Sequence, residues 1–238
     1  MENTSNSKIF KFNDKADYIF YLSELIIDTI QKKERIEFYC REVTNIIDNN
    51  PNAKLINTDL YESISDKMMR PLQYIFNLLG DESKKTVSYR KFRKILFTNK
   101  NILGINLDKL SQEEETILGQ FNQLRNWGLH IPESLFIQKK VFFKMDSNFV
   151  TENMNKIIIP KYDNFEIEFL HKLKIEMEEV LTGIEIILSK MKSDYKSLIG
   201  EDFEIEYENN LAKPYLIMNI AQNSWDVQNG RQIAEKQL

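Results

Sequence analysis

Apolar residues recur three and four apart along most of this chain, and that spacing predicts helices. Over residues 14–47 the stripe runs Ile19, Leu22, Ile26, Ile30, Phe38, Val43 and Ile47. Asn49-Asn50-Pro51-Asn52 ends it, since proline cannot continue a helix and asparagine tolerates turn geometry. A second stripe, Ile64, Met68, Leu72, Ile75, Phe76 and Leu79, follows Thr58 and Asp59, either of which suits an N-cap. Pro71 is expected to kink or divide that helix and Gly80 to stop it. A short basic helix is expected over about 88–97, with a connector over 99–106. The clearest start signal is Ser111 with Glu114 three residues on, the spacing of a capping box. Ile117, Phe121, Leu124 and Gly128 then share a face, and the helix should stop near His130, because Ile131 precedes a proline. A fourth long helix is expected over 165–192. Beyond it, Glu204 to Tyr207 alternates like a short strand, and 223–238 reads as a polar tail.

Four long amphipathic helices with little strand signal predict an all-α fold, an up-and-down helical bundle of four to five long helices. The division expected is a bundle over 1–193 and a C-terminal extension over 194–238, mixed or partly irregular. With 7 Gly and 5 Pro in 238 residues, a turn-rich all-β protein is excluded. Cys40 is the only cysteine, which rules out an internal disulfide and a cysteine-based structural zinc site and fits a reducing compartment. Beside Phe38 and Tyr39 it reads as a small core residue rather than a nucleophile. No apolar run approaches the roughly 20 residues of a membrane span, and the polar first fifteen residues do not resemble a signal peptide, so a cytoplasmic location is expected.

Net charge is −4, which argues weakly against constitutive nucleic-acid binding. The charge is segregated, however. Residues 83–107 hold no acid and seven bases (Lys84, Lys85, Arg90, Lys91, Arg93, Lys94 and Lys100), whereas 163–208 hold thirteen acids and five bases. The basic helix, through Arg90, Lys91, Arg93 and Lys94, is a candidate RNA-backbone surface, with a solvated face as the plain alternative.

The candidate chemistry lies in Arg125-Asn126-Trp127-Gly128-Leu129-His130, which holds one of the two histidines. Asn126 and His130 are four apart, so the amide can hydrogen-bond a ring nitrogen and fix the tautomer. Arg125 and His130 stand about 140° apart on an ideal helix and converge only if the last turn distorts, which Gly128 permits. A histidine near neutral pKa with a fixed guanidinium suits phosphodiester chemistry without a metal. One histidine cannot readily serve both the attacking and the leaving oxygen, which a two-fold dimer would solve. The plain alternative is a surface Arg and a His satisfying the last carbonyls. Trp127 reads as a core anchor, His171 as a surface or groove residue, and Glu133 as a loop carboxylate.

An Arg, a polar residue, three further residues and a His at a helix end in an all-α bundle resembles the HEPN superfamily, on Arg125, Asn126 and His130, with a core over about 61–192. The resemblance implies a metal-independent endoribonuclease that needs no cofactor. It would act as a homodimer with a composite site and leave 2′,3′-cyclic phosphate ends. It further implies a role in a bacterial defence or toxin–antitoxin system, with an antitoxin or regulatory protein as a possible partner. The alternative is a non-catalytic HEPN-like interaction or nucleotide-binding module.

Overall fold

A computed structural model describes residues 12–83, 87–129 and 161–209, with the isolated positions Ile137, Val141 and Ile159. The chain divides into two units, Asp14–Gly200 and Met1–Asn13 with Glu201–Leu238. In the second, the described residues form neither helix nor strand, so the strand expected over 204–207 is not formed. The 223–238 tail lies outside the described residues.

The first unit is helical: α1 (Lys15–Asn49), α2 (Thr58–Gly80), α3 (Tyr89–Leu103), α4 (Gln112–Leu129) and α5 (Glu168–Ile199), with strands β1 (Leu55–Asn57) and β2 (Asn164–Glu166). None of these helices is long and apolar enough to cross a membrane.

The ends follow local chemistry. Asp14 caps α1 by accepting from the Asp17 amide at 3.1 Å. Asn57, not Thr58, caps α2. The capping box closes in both directions, Glu114 N donating to Ser111 Oγ (3.1 Å) and Ser111 N to Glu114 Oε2 (2.7 Å). Helix α3 runs on to Leu103, into the stretch expected as a connector, and ends on Gly104 at φ 64°, a left-handed conformation that favours glycine. Helix α2 continues through Pro71, which is buried. Its stripe Ile64, Met68, Leu72, Ile75, Phe76 and Leu79 is wholly buried, so packing holds together a helix that lacks one backbone donor.

Helices α1 and α5 run antiparallel, since Thr29 meets Met191 and Lys33 pairs with Glu185. Helices α2 and α4 are also antiparallel, with Gly80 beside Phe121 and Asn122 and Gln73 beside Gly128. Strands β1 and β2 pair antiparallel, Ile56 opposite Phe165, and tie the start of α2 to the start of α5. The expected start of the last helix at residue 165 is therefore displaced: Phe165 is in a strand and packs its ring on Tyr61 and Phe169. Helix α5 also passes through the expected boundary at 193/194, and Asp194 is buried. Phe38 and Leu124, both on predicted core stripes, are exposed. Ile36, Tyr39 and Cys40 take the inward places on α1, and Leu118 joins Ile117 and Phe121 on α4. Burial pushes the Cys40 thiol up to about 11, which leaves it protonated at neutral pH.

Gly80 sets the α2–α4 spacing. A β-carbon there would lie 2.6 Å from the Asn122 amide nitrogen and 2.9 Å from the Phe121 carbonyl carbon. Gly80→Ala is therefore expected to destabilise the protein by about 1–3 kcal/mol, because backbone cannot yield as a side chain does. That outweighs the gain in helix propensity, roughly 1 kcal/mol. Urea denaturation checks this, and an alanine variant as stable as wild type would mean the helices are not held that close.

Candidate functional site

Arg125 lies one turn before the end of α4, beside the end of α2. Its guanidinium is held on three sides: Nε donates to Asn77 Oδ1 at 3.1 Å, Nη1 to Asn126 Oδ1 at 2.9 Å, and Nη2 pairs with Asp81 Oδ2 at 3.3 Å. Asp81 is 1% exposed, while 18% of the Arg125 side chain remains accessible. The close approach at Gly80 produces this arrangement. It places the first residue beyond α2 against α4, one turn before Arg125.

Asp81 is itself anchored. Ser83 donates to it from both its amide (2.7 Å) and its hydroxyl (3.1 Å), and Ser88 Oγ donates to the Asp81 carbonyl at 2.6 Å. Asn77 is oriented by donating to the Gln73 carbonyl at 2.8 Å. A guanidinium has five N–H donors. The two hydrogen bonds use Nε and one Nη1 donor, and the ion pair engages Nη2, which leaves N–H donors on both terminal nitrogens for a phosphate.

Arginine only donates, so the Asn126 atom facing Nη1 must be its oxygen, and this fixes the orientation of the amide. His130 and Glu133 lie outside the described residues. Of the three residues singled out at this site, the structure brings together Arg125 and Asn126 and adds Asn77 and Asp81, which the sequence did not mark. An Asp directly after a helix-ending Gly, with Ser two residues on, signals an Asx turn. Nothing local signals its pairing with a residue 44 positions later.

No family model, curated relative or solved structure matches the chain.

The four basic residues proposed to follow RNA are differently placed. Arg93 is 2% exposed and pairs with the buried Asp194 while donating to the Asp108 carbonyl, so no nucleic-acid backbone can reach it. Lys91 donates to the Ser83 carbonyl. Arg90 (3.3 Å) and Lys94 (2.8 Å) both pair with Glu82, and Lys94 above all holds the Glu82 carboxyl below its ordinary value. Lys94 and Arg90 stay accessible to a polyanion; Arg93 belongs to the core.

Trp127 is 44% exposed and is not the core anchor expected. With Leu124 it lines one end of a groove of about 1070 Å³ between α4 and α5. His171 is half-buried on α5.

Proposed function

We propose that the protein is a metal-independent endoribonuclease of HEPN type, acting as a cytoplasmic homodimer in a bacterial defence or toxin–antitoxin setting. The observation that carries this reading is the fixed Arg125–Asn126 pair at the end of α4, five and four residues before His130. A guanidinium already held by Asp81 and Asn77 loses little side-chain entropy on meeting a phosphate.

In the reaction, His130 takes the proton of the ribose 2′-hydroxyl. The 2′-oxygen bonds to phosphorus, the phosphorus–5′-oxygen bond breaks, and the leaving oxygen takes a proton from the partner copy's histidine. Products are a 2′,3′-cyclic phosphate and a 5′-hydroxyl. Arg125 stabilises the charge on the pentacovalent phosphorus. Asn126 has given its oxygen to Arg125, so the group it offers His130 is its amide N–H₂. In the copy that acts as base, such an amide donor would meet the unprotonated ring nitrogen of a neutral imidazole; the partner's imidazolium, which only donates, would not take that bond. Arg90 and Lys94 are the residues left to guide the RNA strand.

The competing reading is a non-catalytic interaction module. The buried Asp81 favours it, since an Arg neutralised by a carboxylate is also a sound way to lock α4 onto α2. Incubating purified protein with single-stranded and hairpin RNA in EDTA separates the two. Cleavage leaving 2′,3′-cyclic ends is expected; intact RNA on all substrates favours the module.

A further inference from the structure

The groove between α4 and α5 is not used by the reading above. Its floor is apolar: Ile117, Phe121 and Leu124 from α4, with Val180 and Ile186 from α5. Gly183 allows the two helices to close beneath it, since a β-carbon there would already touch Ile117 and Phe121 at 3.2 Å. Helix α4 lines the groove from Gln112 to Trp127, about 22 Å at the α-helical rise. That is the length of about four helical turns, and a trough between two helices is the form that receives a third.

The rim is polar and carries one sign. Its described residues include Glu113 and Glu179 with Gln and Thr, and no Lys or Arg among them. Tyr74 of α2 meets Asp28 and Lys32 of α1 although only residues 50–57 link the two helices, so α2, like α5, is antiparallel to α1; α4 is antiparallel to α2 and hence to α5. Glu113 and Glu179 therefore stand towards opposite ends of the trough. Two copies seated groove to groove would bring four such carboxylates together, which disfavours a second copy of this chain as the occupant.

We propose that this groove docks an amphipathic helix of a partner protein, one whose apolar stripe is flanked by lysine or arginine at both ends. The apolar stripe would cover Leu124 and Trp127, both more than two-fifths exposed, and the flanking cations would meet Glu113 and Glu179. The inference does not depend on ribonuclease activity.

The test uses two synthetic helical peptides of about four turns. Both carry leucine at three- and four-residue spacing, one with lysine and the other with glutamate at all remaining positions. Calorimetry near physiological salt is expected to show the lysine peptide binding about ten-fold more tightly than the glutamate peptide, as a few partly exposed ion pairs allow. The variant Glu113→Lys with Glu179→Lys should reverse that preference. Glu62→Lys with Asp66→Lys, an equal charge change on exposed residues of α2, should leave it intact. Thermal melts confirm that each variant is folded. Failure of both peptides to bind, or equal effects of the two charge reversals, overturns the proposal. So does a concentration-dependent dimer abolished by Leu124→Glu, which would assign the groove to a second copy.

Discussion

His130→Ala is expected to lower the rate of RNA cleavage in EDTA by about 10²–10⁴-fold, the usual contribution of a positioned proton-transfer group. In a composite dimeric site the loss falls at the upper end, because one substitution removes both the base and the acid. Arg125→Ala is expected to lose comparable activity, but it is the less clean experiment. It leaves the Asp81 carboxylate buried without the Arg125 cation, although Ser83 still donates to it twice. Removing one partner of a buried pair costs up to about 3–5 kcal/mol, so lost activity could then reflect unfolding. Asp81→Asn provides the control. It frees the guanidinium of its counter-charge, keeps an oxygen for the Ser83 amide, turns an N–H₂ towards the Ser83 hydroxyl, which can accept from it, and retains Asn77 and Asn126. A melt taken beside each assay separates chemistry from stability. Wild-type cleavage by folded His130→Ala would remove His130 from the reaction and leave Arg125 as a structural residue.

What the sequence disclosed follows physical range. Caps and stripes are local, so helices α1, α2 and α4 were legible almost to the residue. The α2 stripe is an example: its spacing alone named the buried set. The strands at 55–57 and 164–166 were not legible, because three residues are too few to show a period of two, and Phe165 fits a helical stripe as well as a strand. Charge was misread where burial decided. Arg93 stands between Lys91 and the exposed Lys94 on α3, yet its partner is Asp194, 101 residues further along. The same limit applies to the site. Arg125 and Asn126 were found through their spacing to a histidine, whereas Asn77 and Asp81 reach Arg125 only because a glycine lets two helices touch.

Asp194→Ala is expected to cost about 3–5 kcal/mol of stability, the largest single effect away from the motif. Asp194 joins α5 to α3. It pairs with Arg93, accepts from Tyr89 Oη at 2.9 Å and lies 3.5 Å from Lys190 Nζ. Asp194, Arg93 and Tyr89 are all but fully buried, so alanine would leave a dehydrated guanidinium with the Asp108 carbonyl and the Phe97 ring face, and take away the acceptor of the Tyr89 hydroxyl. Burial holds the Asp194 carboxyl above its ordinary value of 3.8 despite Arg93, Lys190 and Tyr89, and the same burial drives the Tyr89 phenol well above its own. The attraction therefore does not fully offset the loss of hydration, and the pair is costly to break without being a large net source of stability. Replacing both charges by apolar residues of similar size, Arg93→Met with Asp194→Leu, should recover most of what the single variant loses. The pH dependence gives a second check. A carboxyl whose folded pKa is raised holds its proton more tightly in the native state. Its contribution thus falls as pH rises from 3.8 through the folded value. The double variant lacks that loss and should gain on wild type across this window in urea denaturation. A double variant as unstable as Asp194→Ala would show instead that the ion pair is what holds α3 against α5.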